Sequence, residues 1–356
     1  MPFNVIDMFA SCGGLSCGFI QAGFNVVAGI DNDPIALQTF AANHKNSKAL
    51  QLDLYEKDSI SHIAKAVKDT PIDVIIGGPP CQGFSLTGTR NFEDKRNRLY
   101  LSMLDAVERF MPKAFLIENV AGMATLYGGV VKDEILKRFD KLGYNVAHKV
   151  VCSADYGVPQ IRKRLIFVGI RKDLGKQYVF PTPLLTPDNY ITCMEALSDL
   201  PSLEDHTGTE EAKYIKSPIS DYQKELRHNN KILYNHVKTI HSQHVIDVIS
   251  QVPDGGNYKD LPDGVGNSRR FHVAWTRYSS KKPSNTIDTG HRNHFHYKYN
   301  RIPTVRENAR LQSFPDCFRF LGTRTQQYKQ VGNAVPPLMA RALAAELEKV
   351  LKNEEE

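Results

Sequence analysis

Residues 4–31 read NVIDMFASCGGLSCGFIQAGFNVVAGID. The apolar run Asn4–Phe9 has the length and composition of a buried strand, and Gly14–Gly23 has a helical pattern. Asn25–Ile30 is a second apolar run. Strand, glycine-containing turn, helix and strand in so short a space predict a parallel pair joined by a crossover helix. The rhythm continues outward. Pro34–Asn43 reads as a helix with Pro in its first turn. Asp73–Ile76 is a short strand ending in Gly77-Gly78-Pro79-Pro80, and Arg98–Met111 is helical. Ala114–Ile117 is apolar enough for a central strand. Lys132–Leu142 is a helix stopped by Gly143, and Tyr144–Val151 and Arg164–Gly169 supply the last strands. The expectation is an α/β fold with a doubly wound, mostly parallel sheet, whose ligands sit beyond the carboxyl ends of the strands.

Near residue 172 the periodicity fades. Residues 180–300 are rich in Pro, Asn, Asp, His and Gly, and 252–257 (VPDGGN) and 262–264 (PDG) are turn chemistry. A helical pattern returns after about residue 303, and Leu338–Leu351 is an amphipathic helix. The expected division is a main domain over 1–171, a smaller loop-rich domain over 172–300, and a return over 301–356. At 356 residues the chain is long enough for both.

Composition narrows the function classes. With 41% hydrophobic and 24% charged residues the chain reads as a globular protein. Its six cysteines, at 12, 17, 81, 152, 193 and 317, form no CxxC pair, so neither a zinc site nor a redox pair is signalled. His291, His294 and His296 lack the spacing of a metal site, and no metal is expected. No apolar run has membrane-spanning length. The N-terminal MPFNVIDMFA shows neither a basic leader nor a cleavage pattern, so a reducing cytosol is the expected compartment. Between 269 and 301 lie eight arginines and lysines against the single Asp288, giving +7 where the whole chain carries +6. That stretch is either a solvated basic face or a surface for a polyanion.

Five segments carry candidate chemistry. Residues 7–18 (DMFASCGGLSCG) follow the first strand and open a helix. Glycines there let backbone N–H groups approach a ligand at the positive helix end, although a plain tight turn reads the same way. Asp31 ends the second strand, where it could accept ribose hydroxyls, and Asp53 follows the third. In GGPPCQGFS (77–85), Cys81 sits on a proline-stiffened turn at the ligand edge of the sheet, as a nucleophile would. The polar, basic residues up to Arg98 suggest a loop that closes over a polyanion. In IENV (117–120) an apolar strand runs directly into Glu118. Burial there would raise its pKa, whereas an exposed strand end would leave it ordinary. QIRKR (160–164) puts Arg162 and Arg164 on one strand face, as an anion site or a surface edge. GNAVP (332–336) reads as a loop closing a pocket.

Together with VRENARLQSFPD (305–316), these segments resemble the bacterial-type DNA (cytosine-5) methyltransferases. Order, spacing and identity match over nearly the whole chain except the middle of 180–270, and in one chain the combination is highly specific. The resemblance implies an S-adenosylmethionine-dependent methyltransferase fold with a target-recognition domain. It makes Cys81 the nucleophile, sets Glu118 against N3 and the exocyclic amine of cytosine, and puts Arg162 and Arg164 on the base oxygen and adjacent backbone. It implies a cofactor pocket from Phe9, Ser11, Cys12, Gly13, Gly14, Asp31, Asn32, Asp53, Leu54, Pro80, Asn333 and Val335. Ser85, Thr87 and Arg90 of the thiol loop, with Arg269, Arg270, Arg277 and Arg292, are the expected DNA contacts. The implied partners are double-stranded DNA and, functionally, a restriction endonuclease, with no membrane and a monomeric, cytoplasmic protein. Three positions depart from the family pattern. Ser11 stands where the turn usually has glycine, Asp31 where the acid is often Glu, and Asn32 where an apolar residue often packs on adenine.

Reactivity at C5 requires thiolate addition to C6 of a base swung out of the helix. A tRNA cytosine-5 methyltransferase shares the catalytic parts but usually has a shorter middle region and a different thiol loop. A non-catalytic DNA-binding regulator would not need every catalytic position filled. A nicotinamide oxidoreductase would show a clean GxGxxG.

Overall fold

A computed structural model describes residues 1–68, 70–80, 98–262, 264–265, 275–290 and 293–352. The chain divides into two compact units. The first comprises Met1–Cys152, Lys163–Thr182 and Met339–Glu356, and the second Ser153–Arg162 and Pro183–Leu338.

The first unit is an α/β sheet. In chain order it contains β1 (Asn4–Met8), α1 (Gly14–Gln21), β2 (Asn25–Asp31), α2 (Pro34–Asn43), β3 (Lys48–Gln51), α3 (Ser59–Val67), β4 (Val74–Gly77), α4 (Arg98–Phe110), β5 (Ala114–Val120), α5 (Val130–Lys141) and β6 (Tyr144–Cys152). The two-residue strand β7 (Gln160–Ile161) belongs to the second unit, and β8 (Lys163–Arg171) completes the sheet. Strand order is β3-β2-β1-β4-β5-β8-β6. Pairs from β3 to β5 are parallel, and β8 alone runs against its neighbours. This is the expected doubly wound, mostly parallel sheet. Its middle strands are buried on both faces, so β1 and β4 read as near-continuous apolar runs.

Helix packing follows from size matching. Phe40 of α2 lies over Gly29 of β2, where a β-carbon would come within 2.3 Å of the ring. Phe115 of β5 pairs with Gly169 of β8 and stacks on Phe139 of α5 at 4.1 Å. α3 was not anticipated, although Ile60, Ile63 and Val67 carry the helical spacing that buries it. The last helix, α11 (Pro337–Lys352), is tied to the chain after β8. Tyr178 donates to the Leu343 carbonyl at 2.9 Å and Lys176 to that of Val350 at 3.0 Å.

The second unit is loop-rich, as the composition of 180–300 suggested. It holds α6 (Cys193–Leu197), β9 (Gly208–Lys213), α7 (Asp221–Arg227), β10 (Ile232–Val237), α8 (Gln243–Gln251), β11 (Thr276–Arg277), β12 (Ser284–Asn285), β13 (His294–Phe295), α9 (Val305–Leu311) and α10 (Arg324–Asn333). Only two-stranded pairings occur among its described residues: β9 with β10, β11 with β13, and β12 with β7. Its limits differ from the expected 172 and 300, because 153–162 joins it and the chain re-enters the first unit only at Met339. Helical periodicity after residue 303 does not say which body a helix packs into.

Every residue of α9 is buried, and polar side chains form much of this interior. Arg310 donates to Asp199 (2.8 and 3.2 Å), to Asp316 (2.7 Å twice) and to the Ala196 carbonyl at 2.9 Å. Arg306 donates to the carbonyls of Tyr234, Pro315 and Phe318. Glu307 takes both arms of Arg301 and closes a capping box with Thr304. Burial pushes the Asp316 carboxyl up, but Arg310, Arg306 and the Tyr214 hydroxyl outweigh it and hold it below the usual range.

Removing the Arg310 charge strands Asp199 and Asp316 in the interior. Arg310→Met should lower stability by about 3–5 kcal/mol in urea unfolding. Adding Asp199→Asn and Asp316→Asn should restore part of the loss.

Candidate active site

The chain reverses its winding direction between β1 and β4, so their carboxyl ends open a crevice. Register fixes what meets there. Met8 is level with Ile30 and with Gly77, Gln51 with Asp31, and Ile117 with Gly77. The turn after β1, Asp31, Asp53, the Gly78-Pro79-Pro80 loop and Glu118 therefore share one edge of the sheet.

The turn is backbone chemistry. Phe9, Ser11 and Gly13 have φ of 62°, 49° and 94°. Ser11 thus adopts the left-handed conformation that glycine would take freely, at a cost of about 1–2 kcal/mol. Its N–H donates to Oδ2 of Asp31 at 2.8 Å, while Oδ1 of Asp31 accepts from Asp33 N–H at 2.9 Å. Burial raises the Asp31 carboxyl, and these backbone N–H groups oppose the rise. Gly13 has no alternative, because a β-carbon there would lie 2.2 Å from the His44 ring. Asn32 and Asp53 are exposed, and Phe9 is half-buried. Cys12 and Leu54 are buried.

The acid of the site stands on β5. Arg164 Nε lies 2.8 Å from Glu118 Oε1, with both side chains largely buried. A β-carbon at Gly78 would come within 3.1 Å of the other Glu118 oxygen, so glycine leaves room beside the carboxylate. Asn119 Nδ2 donates to the Pro79 carbonyl at 3.0 Å and anchors the loop to β5. Pro79 is buried and Pro80 exposed. Cys81, Ser85, Thr87, Arg90, Arg269, Arg270, His291 and Arg292 lie outside the described residues.

Arg162 differs from the expectation of one strand carrying both arginines. The strand breaks between β7 and β8, and Arg162 belongs to the second unit while Arg164 belongs to the first. Its buried guanidinium donates to the Gly332 carbonyl at 3.1 Å. Around it three sequence motifs converge. Gln160 donates to the Leu311 carbonyl at 3.2 Å and to Gln312, and accepts from Ile287 N–H. Gln312 in turn donates to the Ala334 carbonyl at 2.6 Å. Gly332 lets the backbone of Asp288 and Thr289 approach, since a β-carbon would be 2.6 Å from the Asp288 oxygen. Asn333 is exposed and Val335 buried.

Arg277 is also placed differently. Its five N–H groups reach the carbonyls of Val252, His296, Tyr299 and Ile249 and the Asn300 side chain. Two of those carbonyls end α8, so the guanidinium works as a helix cap and keeps no donor for a phosphate. His294 stacks on Tyr278 at 5.2 Å, and His296 Nδ1 accepts the N–H groups of Lys298 and Tyr299. Among the described residues no group of three or more His, Cys, Asp and Glu could hold a metal. No described helix is long and apolar enough to cross a membrane.

The family model for C-5 cytosine-specific DNA methylases matches residues 3–349. The chain belongs to this family. It is a DNA cytosine-5 methyltransferase. It is 38% identical to the Type II methyltransferase M.DdeI of Desulfomicrobium norvegicum over 98% of this chain and 89% of that one. It is also 38% identical to the Type II methyltransferase M1.HphI of Haemophilus parahaemolyticus, over 99% and 89%. A solved structure of a prophage-encoded E. coli protein, described as a DNA modification methyltransferase, superposes with a TM-score of 0.81 at 30% identity, covering 99% of this chain and all of that one. The Dnmt2 methyltransferase of S. pombe, at 16% identity and a TM-score of 0.60, shares the fold.

In this methylase two buried groups beside the turn had no sequence signal strong enough to single them out. His44 Nε2 lies 3.1 Å from the Gly13 carbonyl. The Ser16 hydroxyl donates to the buried Asp7 carboxyl at 2.5 Å. Burial raises the Asp7 pKa to about 7, partly offset by Ser16 and helped by the Asp31 charge.

Two predictions follow from these placements. Between about pH 4 and 7 the folded methylase holds a proton on Asp7 that the unfolded chain releases, so this carboxyl lowers stability as pH rises through that window. Asp7→Asn should flatten the dependence of melting temperature on pH and add up to about 4 kcal/mol at pH 8. Arg277→Lys should lower the melting temperature while the slope of DNA affinity against salt stays unchanged. A phosphate contact would reduce that slope by about one.

Proposed function

We propose that this methylase moves the methyl group of S-adenosylmethionine to C5 of an everted cytosine in a specific duplex sequence, through a transient bond between Cys81 and C6. The observation that carries the reading is the Glu118–Arg164 pair, set beside the Gly78-Pro79-Pro80 loop that runs directly into Cys81. The names of the relatives, Type II methyltransferases, support a protective role in a restriction–modification system. Duplex DNA is then the substrate, a restriction endonuclease the functional partner, and the bacterial cytoplasm the place of action.

The donor set suits the cofactor. Asp31 keeps a lone pair on each oxygen beyond the backbone N–H it already accepts, and Asp53 is exposed at the neighbouring strand end. These are acceptors for sugar hydroxyls and an adenine amine, and the turn over residues 9–14 offers close backbone approach. When bound, S-adenosylmethionine supplies an electrophilic methyl group.

The chain's own residues do the rest. The Cys81 thiol loses its proton to solvent water, and the thiolate sulfur bonds to C6 as the C5–C6 π bond opens. The electron pair of the C5–C6 bond is then available at C5. Glu118 holds a proton or donates a hydrogen bond at N3, where negative charge gathers. Arg164 fixes the orientation of that carboxyl and is placed for the base oxygen. After methylation the C5 proton passes to solvent water, its bonding pair re-forms the C5–C6 double bond, and the C6–S bond breaks to release Cys81 as thiolate. Eversion costs roughly a few kcal/mol.

Duplexes carrying 5-fluorocytosine at a methylated site should trap the chain as a denaturant-resistant complex when the donor is present, because fluorine cannot leave as a proton does. Bisulfite sequencing of DNA from expressing cells identifies that site. Cys81→Ala should bind duplex but form neither adduct nor product, and turnover by that variant would overturn the nucleophile assignment.

A further inference from the structure

We propose that His44 is a positioning residue for the methyl donor, acting through the Gly13 carbonyl. The inference rests on the reading of the 9–14 turn as part of the cofactor site.

His44 is the residue after α2. Its N–H bonds back to the Phe40 carbonyl, and its ring is buried against the Phe40 ring at 4.6 Å. Burial pushes its pKa down to about 4, partly offset by the bond to Gly13, so the ring is neutral at working pH. A carbonyl can only accept. The proton of the neutral ring therefore sits on Nε2 and is donated to Gly13, 3.1 Å away. The same carbonyl accepts the Cys17 N–H at 2.8 Å, the bond that starts the α1 ladder. His44 thus holds the one oxygen that joins the turn to its helix.

The contact is tight. A β-carbon at Gly13 would fall 2.2 Å from Nε2 and 2.9 Å from the Phe40 ring, so the turn rests directly on both rings. α2 braces the turn from both ends. At its start Asp31 bridges Asp33 N–H and Ser11 N–H, and at its finish His44 holds Gly13. Ser11 is in the left-handed region, which a non-glycine residue in a free turn would not keep, and Gly13 beside it has a φ of 94°. Each is held by one side chain. Asp31 also faces the ligand edge, whereas His44 is buried beneath the turn and acts only through it.

The test uses the full-length protein and S-adenosylhomocysteine as the probe in calorimetry. His44→Leu keeps apolar bulk and loses the donor, and His44→Gln keeps an N–H at the position of Nε2. The leucine variant should bind the probe about tenfold more weakly, the value of one hydrogen bond. Its KM for the donor should rise by a similar factor with kcat nearly unchanged on genomic DNA. The glutamine variant should return to within about threefold of the parent. Parent-like binding by the leucine variant overturns the proposal, as does a glutamine variant no better than leucine. Should the leucine variant fail to fold, a folded glutamine variant within threefold of the parent supports it and a tenfold loss overturns it. Asp31→Ala separates the two levels. If it binds the probe like the parent, the cofactor reading fails and this proposal with it. If it binds weakly while His44→Leu does not, only the role of His44 falls.

Discussion

Two parallel strands that leave the sheet in opposite directions cannot both be covered by their crossovers. That constraint, met between β1 and β4, organises the first unit. The turn after β1 and the loop after β4 are the two segments released at this gap, and the first holds unusual backbone. One uses left-handed residues at 9, 11 and 13, the other two glycines and two prolines. Asp31 and His44 fasten the first, and Asn119 fastens the second from β5. The segment leading to Cys81 thus starts from a fixed point at Pro79, and the Glu118 carboxylate is oriented by Arg164 from the antiparallel strand β8. Reversing one strand is what brings an arginine at the start of β8 level with the end of β5, where Val120 pairs with Arg164.

The second unit solves a different problem. Its pairings are only two strands wide among the described residues, so the sheet ladders that satisfy backbone in the first unit are scarce. Guanidinium groups take over. Arg277 gathers loose carbonyls at the end of α8, Arg306 those around Pro315 and Phe318, and Arg310 ties α9 to α6 through the Ala196 carbonyl and to the segment after α6 through Asp199. A planar group with five donors can tie several chain segments at one point, which lysine cannot do. The desolvation this requires is large, and only complete pairing offsets it. Such an interior gives the loops of this unit a defined geometry.

Much of this was legible in the residues, and the gaps have physical causes. The parallel sheet follows from buried apolar runs separated by helical spacing, a pattern of period and length alone. Glu118 and Asp31 stood out because each follows directly on an apolar run, and register places both strands' ends on one edge of the sheet; Cys81 lies outside the described residues. Arg277 was misleading: its charge counts toward a basic surface in sequence, but burial and carbonyl pairing are long-range facts, with acceptors as far back as Ile249. Arg162 and Arg164 alternate as on one strand, yet the strand breaks between them because Gln160 and Ile161 pair with Ser284 and Asn285 instead of continuing the sheet. Nothing in the sequence marks His44 beyond its place just after α2. Its partner is thirty-one residues earlier, and its burial makes it neutral.

Asp7 and His44 place opposite proton demands on the same turn. The His44 contribution to stability is complete above about pH 6.5 and is lost as pH falls through about 4, since protonation of the buried ring favours the unfolded chain. Asp7 weakens the fold as pH rises toward 7. Between those limits both groups are uncharged, and the turn lies on a neutral bed. A buried charge beneath the turn would bias the field at the carboxyl edge where a cationic donor is proposed to sit. Keeping the support neutral leaves the electrostatics of that edge to the residues that face it.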